Sequence, residues 1–145
     1  MTVICFDGVT LACDSQISTG NAAWSRVKKI RRVKHWVIGA AGALDSMSAF
    51  LKNFDPSFIE AGEDNPKLGP GVEALLISPT GVVHYMESSG IVTKIKTDGF
   101  IAIGSGSACA MSALAAGADA VQAVKIAGRY AEGCGGRTYS LKLNP

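Results

Sequence analysis

What is missing narrows the choice first. No apolar run approaches the ~20 residues that a helical bilayer span needs. No basic segment precedes the first apolar run, so a secretory signal is not expected. Cys5, Cys13, Cys109 and Cys134 make no C-x-x-C pair, which disfavours a zinc site or a disulfide frame. Three of them lie in apolar surroundings, as buried reduced thiols of a cytoplasmic protein would. The net charge is only +2, too small to argue for a nucleic-acid surface. The basic residues do cluster, in Arg26, Lys28, Lys29, Arg31, Arg32, Lys34 and His35, and such a run reads first as a solvated strand face. The expectation is a protein with no metal or cofactor, no nucleic-acid partner and no membrane partner.

What is present suits one folded domain, residues 1–145. A chain of this length buries roughly two thirds of its unfolded surface. Residues 3–6 and 9–13 read as two strands joined through Asp7-Gly8. Residues 18–21 read as a loop, and residues 27–33 as a strand alternating basic and apolar positions. A strand over 35–38 ends at Gly39-Ala40-Ala41-Gly42, and Leu44, Met47, Phe50, Leu51 and Phe54 then recur at helical spacing. Residues 55–71 are rich in acids, Pro and Gly and predict an exposed loop with room for one helical turn. A hairpin follows over 72–78 and 81–86, then a strand over 99–103, helices over 108–116 and 119–131, and a last strand over 137–143. Parallel βαβ alternation is absent, which disfavours a doubly wound nucleotide-binding fold. The order predicts an α+β protein: two stacked antiparallel sheets with helices on both outer faces.

Thr2 is the centre of the chemistry. With Met1 removed, it would carry a free α-amine beside its own hydroxyl, and an N-terminal amine can activate such a nucleophile. The amine's reference pKa is about 7.7–8.0, so much of it is neutral near physiological pH. Asp14 follows the second strand, and an odd loop or a bulge near Gly8 would be needed to put it on the same face as Thr2. Either Lys28 or Lys29 could supply a cation, and strand parity decides which one points inward. Ser105, in Gly104-Ser105-Gly106, could orient the amine, but both it and Ser107 compete as helix caps.

Thr2, Ala12-Cys13-Asp14-Ser15, the 28–32 basic run, Ala41-Gly42 and Ile103-Gly104-Ser105-Gly106 each enter their elements in a recognisable order. Together they resemble the proteasome β-subunit superfamily of N-terminal nucleophile hydrolases, in particular the HslV-type peptidases, over nearly the whole chain. The resemblance implies a four-layer α-β-β-α sandwich and a threonine-type endopeptidase in a self-compartmentalised homo-oligomeric ring that takes unfolded or short peptides. It implies Thr2 as nucleophile, Lys29 as the cation favouring its alkoxide character, Asp14 as partner of Lys29, and Ser105 as support of the amine. It implies Gly42 as the backbone N–H donor to the oxyanion, typically worth roughly 3–4 kcal/mol of barrier. Ser18 falls where the substrate-binding strand would begin, and Ala40 near the specificity pocket.

The chain also departs from the pattern. The 55–71 stretch replaces a long family helix that contributes to ring contacts and, in the HslV type, to docking of an ATP-driven unfoldase. Where the family has an aspartate three residues before a serine and two glycines, this chain has Ala131, Cys134, Gly135 and Gly136. Two other readings use the same fold: an amidohydrolase of small amides, and a catalytically silent ring-forming scaffold.

Overall fold

The computed structural model describes residues 2–19, 22–62 and 71–145. The first strands are β1 (Ile4–Phe6) and β2 (Thr10–Cys13), followed by β3 (Gln16–Thr19) and β4 (Ala22–Arg26). Then come β5 (Ile30–Val33), β6 (Trp36–Gly42), α1 (Leu44–Asn53) and α2 (Ser57–Glu60). The second half holds β7 (Val72–Ile77), β8 (Val83–Met86), β9 (Val92–Ile95) and β10 (Ile101–Ile103), then α3 (Ser107–Ala115), α4 (Ala120–Tyr130) and β11 (Tyr139–Lys142). Among the described residues the strands form a four-stranded sheet ordered β10-β1-β2-β11, a five-stranded sheet ordered β5-β6-β7-β8-β9 and a separate β3-β4 ribbon. Every pairing is antiparallel.

Side-chain alternation builds the layers. On β6, Val37 and Ala41 face inward between the sheets, where they meet Ile4, Phe6, Leu11 and Cys13. Trp36, Ile38 and Ala40 face the other way, into a cluster with Met47, Phe50 and Leu51 of α1. On β1 the inward pair is Ile4 and Phe6, while Val3 and Cys5 pack with Ala110 of α3 and Ala123, Val124 and Ala127 of α4. Both sheets are therefore apolar on both faces, as a sandwich covered on each side by helices requires. The four layers run α1, five-stranded sheet, four-stranded sheet, α3 with α4.

Local chemistry sets the element ends. Asp7 Oδ1 accepts from Val9 N and Thr10 N, and its Oδ2 accepts from Ala120 N at the start of α4. One side chain thus makes the first turn and fastens it to a helix. Asp119 and Gln122 form a reciprocal capping box on α4. Lys34 and His35 have φ of 46° and 68°, the conformation of a two-residue hairpin turn between β5 and β6.

Several expectations need correction. Residues 18–19 belong to β3 and pair with β4, although the Ser-Thr-Gly-Asn composition reads as a loop; residues 20 and 21 lie outside the described residues. β9, unforeseen, pairs with β8. In the 55–71 stretch, by contrast, Ser57–Glu60 forms a short helix as expected, and residues 63–70 lie outside the described residues. The basic run is not simply solvated. Arg31 Nη1 donates to Leu51 O and Lys52 O at the end of α1, and Arg32 donates to Lys142 O and Leu143 O after β11.

Gly39 sits at the tightest point between the sheets, where an added Cβ would lie 2.7 Å from Ile4 Cγ2 and 3.1 Å from Ile30 Cγ2. Both obstacles are β-branched methyls that cannot swing clear. Gly39→Ala is expected to lower stability by about 1–3 kcal/mol, read from the urea midpoint, by overpacking this layer. The thiols give a second test. Burial raises Cys5 to about 12 and Cys13 to about 11, and it also raises Cys134, whereas Cys109 is only half-buried. A thiol-modifying reagent at pH 8 is expected to label Cys109 first in the folded protein, and Cys5 and Cys13 only after unfolding. Equal labelling rates would contradict this packing.

Candidate active site

Thr2 lies just ahead of β1 and lines a cleft of about 210 Å³. Gln16, Ile17, Val27, Lys29, Gly42 and Met47 line the same cleft. Thr2 itself is 5% exposed. The Gly104-Ser105-Gly106 turn holds its backbone: Thr2 N donates to Ser105 Oγ at 3.0 Å, and Gly106 N donates to Thr2 O at 3.0 Å. Gly104 has φ +92°, and a Cβ there would stand 2.2 Å from Thr2 O. Only glycine allows both that turn and so close an approach. Neither serine caps α3: Gly106 occupies the N-cap with no side-chain cap bond, Ser107 is the first helical residue, and Ser105 Oγ is engaged with Thr2.

Asp14 and Lys29 meet behind the threonine. Lys29 Nζ lies 2.8 Å from Asp14 Oδ1, and the two side chains are 3% and 1% exposed. Asp14 Oδ1 also accepts from Val3 N at 3.0 Å, and Oδ2 accepts from Gly135 N at 3.1 Å. A buried carboxylate is tolerated when its lone pairs are filled in this way. Lys28 is exposed, and its Nζ sits 5.3 Å from the centroid of the Tyr139 ring. Of the two lysines, Lys29 is the one that turns inward.

The hairpin condition is overturned. β1 and β2 pair in register Ile4↔Cys13, Cys5↔Ala12 and Phe6↔Leu11, so four residues, 7–10, separate Phe6 from Leu11, an even number. By that register Asp14 stands opposite Val3, not opposite Thr2, and Asp14 N donates to Val3 O. Asp14 nevertheless belongs to the site, because it lies past the end of β2 and its carboxylate acts on Lys29. Sharing a face with Thr2 is unnecessary for that.

The remaining candidates divide. Gly42 ends β6, has φ +150° and lines the cleft; a Cβ there would lie 2.6 Å from Gly71 O. β5 pairs with β6 only as far as Ile30↔Gly39, with Ala40 N donating to Lys29 O, so Ala41 and Gly42 run on past β5 beside the cleft. Ser18 lies on β3 opposite Ala23, next to a register shift after Ile17, and it is Gln16 and Ile17 that line the cleft. Ala40 is fully buried in the layer under α1, the same cluster as Met47, and does not itself line the cleft. The spacing places it near the pocket, but alternation turns its methyl toward the helix.

Cys134 Sγ lies 3.8 Å from Ser105 Oγ, in the position where the resemblance implies a serine. Gly135, whose N–H holds Asp14, escaped the sequence reading as a functional residue. In the sequence it figures only as one of the two glycines that follow Cys134 in the resemblance. Among the described residues no group of three or more His, Cys, Asp or Glu side chains is placed to hold a metal ion.

No protein-family model matches the chain, and no curated protein matches it. Solved structures do. HslV from Trypanosoma brucei superposes with a TM-score of 0.72 at 19% identity over 97% of both chains. Thiobacillus denitrificans BPH, solved in complex with epoxomicin, superposes with a TM-score of 0.68 at 19% identity over 100% of both chains. BPH without that compound gives a TM-score of 0.69 at 18% identity, again over both full chains. The chain thus has the four-layer fold of HslV, and the resemblance to the HslV-type superfamily holds at the level of the fold.

The two lysines give a direct test. Lys29→Met leaves the buried Asp14 carboxylate without the Lys29 ammonium and is expected to cost about 3–5 kcal/mol in denaturant unfolding. Lys28→Met should cost less than about 1 kcal/mol, the scale of an exposed cation–π contact. Equal costs would sink the assignment of Lys29 as the buried partner.

Proposed function

We propose that this chain, once Met1 is removed, is a threonine-type endopeptidase that works as a self-compartmentalised homo-oligomer in the cytoplasm. The observation that carries the proposal is the seat of Thr2. Its nitrogen faces Ser105 Oγ, its carbonyl is held by Gly106, and it shares a cleft with the buried Lys29. While Met1 is attached, that nitrogen is an amide and cannot act as a base. Removal of Met1 turns the same atom into an amine already aimed at a hydroxyl.

The chemistry runs in two halves. The Thr2 amine takes the hydroxyl proton of Thr2, with Ser105 orienting the amine and Lys29 stabilising developing negative charge on Oγ1. Oγ1 attacks the peptide carbonyl carbon, and the Gly42 N–H donates to the resulting oxyanion. The C–N bond breaks, the leaving amine receives the proton, and the acyl group stays on Thr2 as an ester. Water, deprotonated by the same amine, then attacks that ester and frees Thr2. Asp14 holds Lys29 in place throughout.

The shape of the cleft favours peptides. Ala41 and Gly42 extend beyond β5 and offer strand edge to an extended chain, a common way of binding backbone without regard to sequence. The fold shared with HslV is consistent with this reading.

Processed protein is expected to hydrolyse fluorogenic peptides, and Thr2→Ala to lower the rate at least about a thousandfold. Lys29→Ala should be nearly as damaging, because groups acting as a unit are non-additive. Epoxomicin, bound in one structural neighbour, should be retained by the processed chain and not by Thr2→Ala. Hydrolysis unchanged in Thr2→Ala would refute the proposal.

A further inference from the structure

β7 reads Val-Glu-Ala-Leu-Leu-Ile, and Glu73 is its lone charged residue. The strand pairs Ala41↔Glu73 and Gly42↔Val72, so Glu73 sits directly beside the end of β6 that borders the cleft. Alternation along β7 puts it on the same face as Leu75 and Ile77, both in the core between the two sheets. Its neighbours in that seam include Ile95, Ile101 and Ile103. A carboxylate in such surroundings is costly unless its oxygens are occupied.

They are occupied by donors from two elements. Oε1 accepts from Gly104 N at 3.2 Å, and Oε2 accepts from the hydroxyl of Tyr85 on β8. Burial first, and then the adjacent Glu73, push the Tyr85 hydroxyl up to about 12, so it remains a donor at any working pH. Gly104 is the residue packed against Thr2 O, and its neighbours Ser105 and Gly106 bond Thr2 N and Thr2 O.

The two sides of the site belong to different sheets. Thr2 and its glycine-serine turn extend the β1–β10 edge of the four-stranded sheet, while Gly42 ends β6 of the five-stranded sheet. We infer that Glu73 is a positioning residue, a hydrogen-bonded clamp that crosses the seam between the sheets and fixes the Thr2-bearing turn relative to Gly42. This inference rests on the peptidase reading for its kinetic consequence and on the hydrogen bond alone for its structural one. Nucleophile and oxyanion donor must act on one carbonyl, and a misplacement of about 1 Å there can cost about a hundredfold in rate. The binding edge at Ala41–Gly42 would stay intact without the clamp. The loss should therefore fall on kcat and not on KM.

The test uses full-length processed protein and three variants, with peptide kinetics and hydrogen exchange at the Gly104 amide. Glu73→Leu keeps approximate size and removes the acceptor. It should lower kcat at least about tenfold with KM within about twofold, and speed Gly104 exchange at least about tenfold. Glu73→Gln keeps a carbonyl oxygen facing Gly104 and should stay within about threefold of wild type on both readouts. Wild-type exchange and kcat in Glu73→Leu, or a loss in Glu73→Gln as large as in Glu73→Leu, would overturn the clamp. If Glu73→Leu fails to fold, Tyr85→Phe decides: it frees one carboxylate oxygen and should speed Gly104 exchange severalfold, and no change counts against the clamp. A wild-type protein without hydrolysis would defeat the peptidase reading, and Gly104 exchange would then decide the clamp by itself.

Discussion

The ion pair between Lys29 and Asp14 is the constraint around which the cleft is arranged. Two charges 2.8 Å apart and almost wholly buried bring no stability by themselves, because desolvation offsets most of their attraction. They persist because the surroundings are complete. Val3 N–H arrives from the start of β1, Gly135 N–H from the loop after α4, and the ammonium from the residue before β5. Asp14 therefore gathers segments from both sheets and from the helical layer at one carboxylate. Loss of any one donor leaves a buried charge short of a partner, which binds the geometry of each segment to that of the others.

The same point explains where Thr2 sits. Asp14 takes the N–H of Val3, the residue after Thr2, while the Gly104–Gly106 turn takes the nitrogen and carbonyl of Thr2 itself. The backbone of the threonine and of the residue after it is fixed by hydrogen bonds at the wall of the cleft. Rigidity of this sort, with rotamers and backbone held by a supporting layer, is what a preorganised site needs. Gly104 is the tightest element of it, since a left-handed φ and contact with a carbonyl are demanded of one residue.

How much of this was legible depended on the kind of signal. The layers were, because the unbroken apolar runs of the first strands call for burial on both faces and the helical spacing from Leu44 to Phe54 marks a helix that can cover one of them. Thr2, Lys29 and Gly42, singled out from the sequence, line one cleft, and Ser105 accepts from the nitrogen of Thr2. The route to Asp14 was misjudged, since strand parity governs residues inside a strand and Asp14 lies one residue beyond β2. Asp14 stands opposite Val3, and its carboxylate reaches Lys29 Nζ at 2.8 Å without sharing a face with Thr2. β3 and β4 were hidden for a different reason: Ser18-Thr19-Gly20-Asn21, which includes the end of β3, has a turn-like composition, while the β3–β4 ladder is carried by backbone bonds. Ala40, which the resemblance puts near the specificity pocket, packs under α1 beside Met47, a residue of the cleft wall.

The departure at residues 131–136 follows from the same geometry. The resemblance implies an aspartate where Ala131 stands and a serine where Cys134 stands, both near the N-terminal amine. Here the backbone of this loop keeps its task, since Gly135 N still holds Asp14 and Gly135 O accepts from Ser15 N and Gln16 N. Only the side chains differ. A thiol is a weak donor and a weak acceptor, and burial keeps that of Cys134 protonated. At 3.8 Å it therefore competes little for Ser105 Oγ. The hydroxyl of Ser105 is left to Thr2, accepting from its nitrogen at 3.0 Å and lying 3.4 Å from its carbonyl oxygen. Thr2 N is therefore held by the Ser105 hydroxyl, and the glycines on either side of that serine close on the Thr2 carbonyl, Gly104 by contact and Gly106 by its N–H.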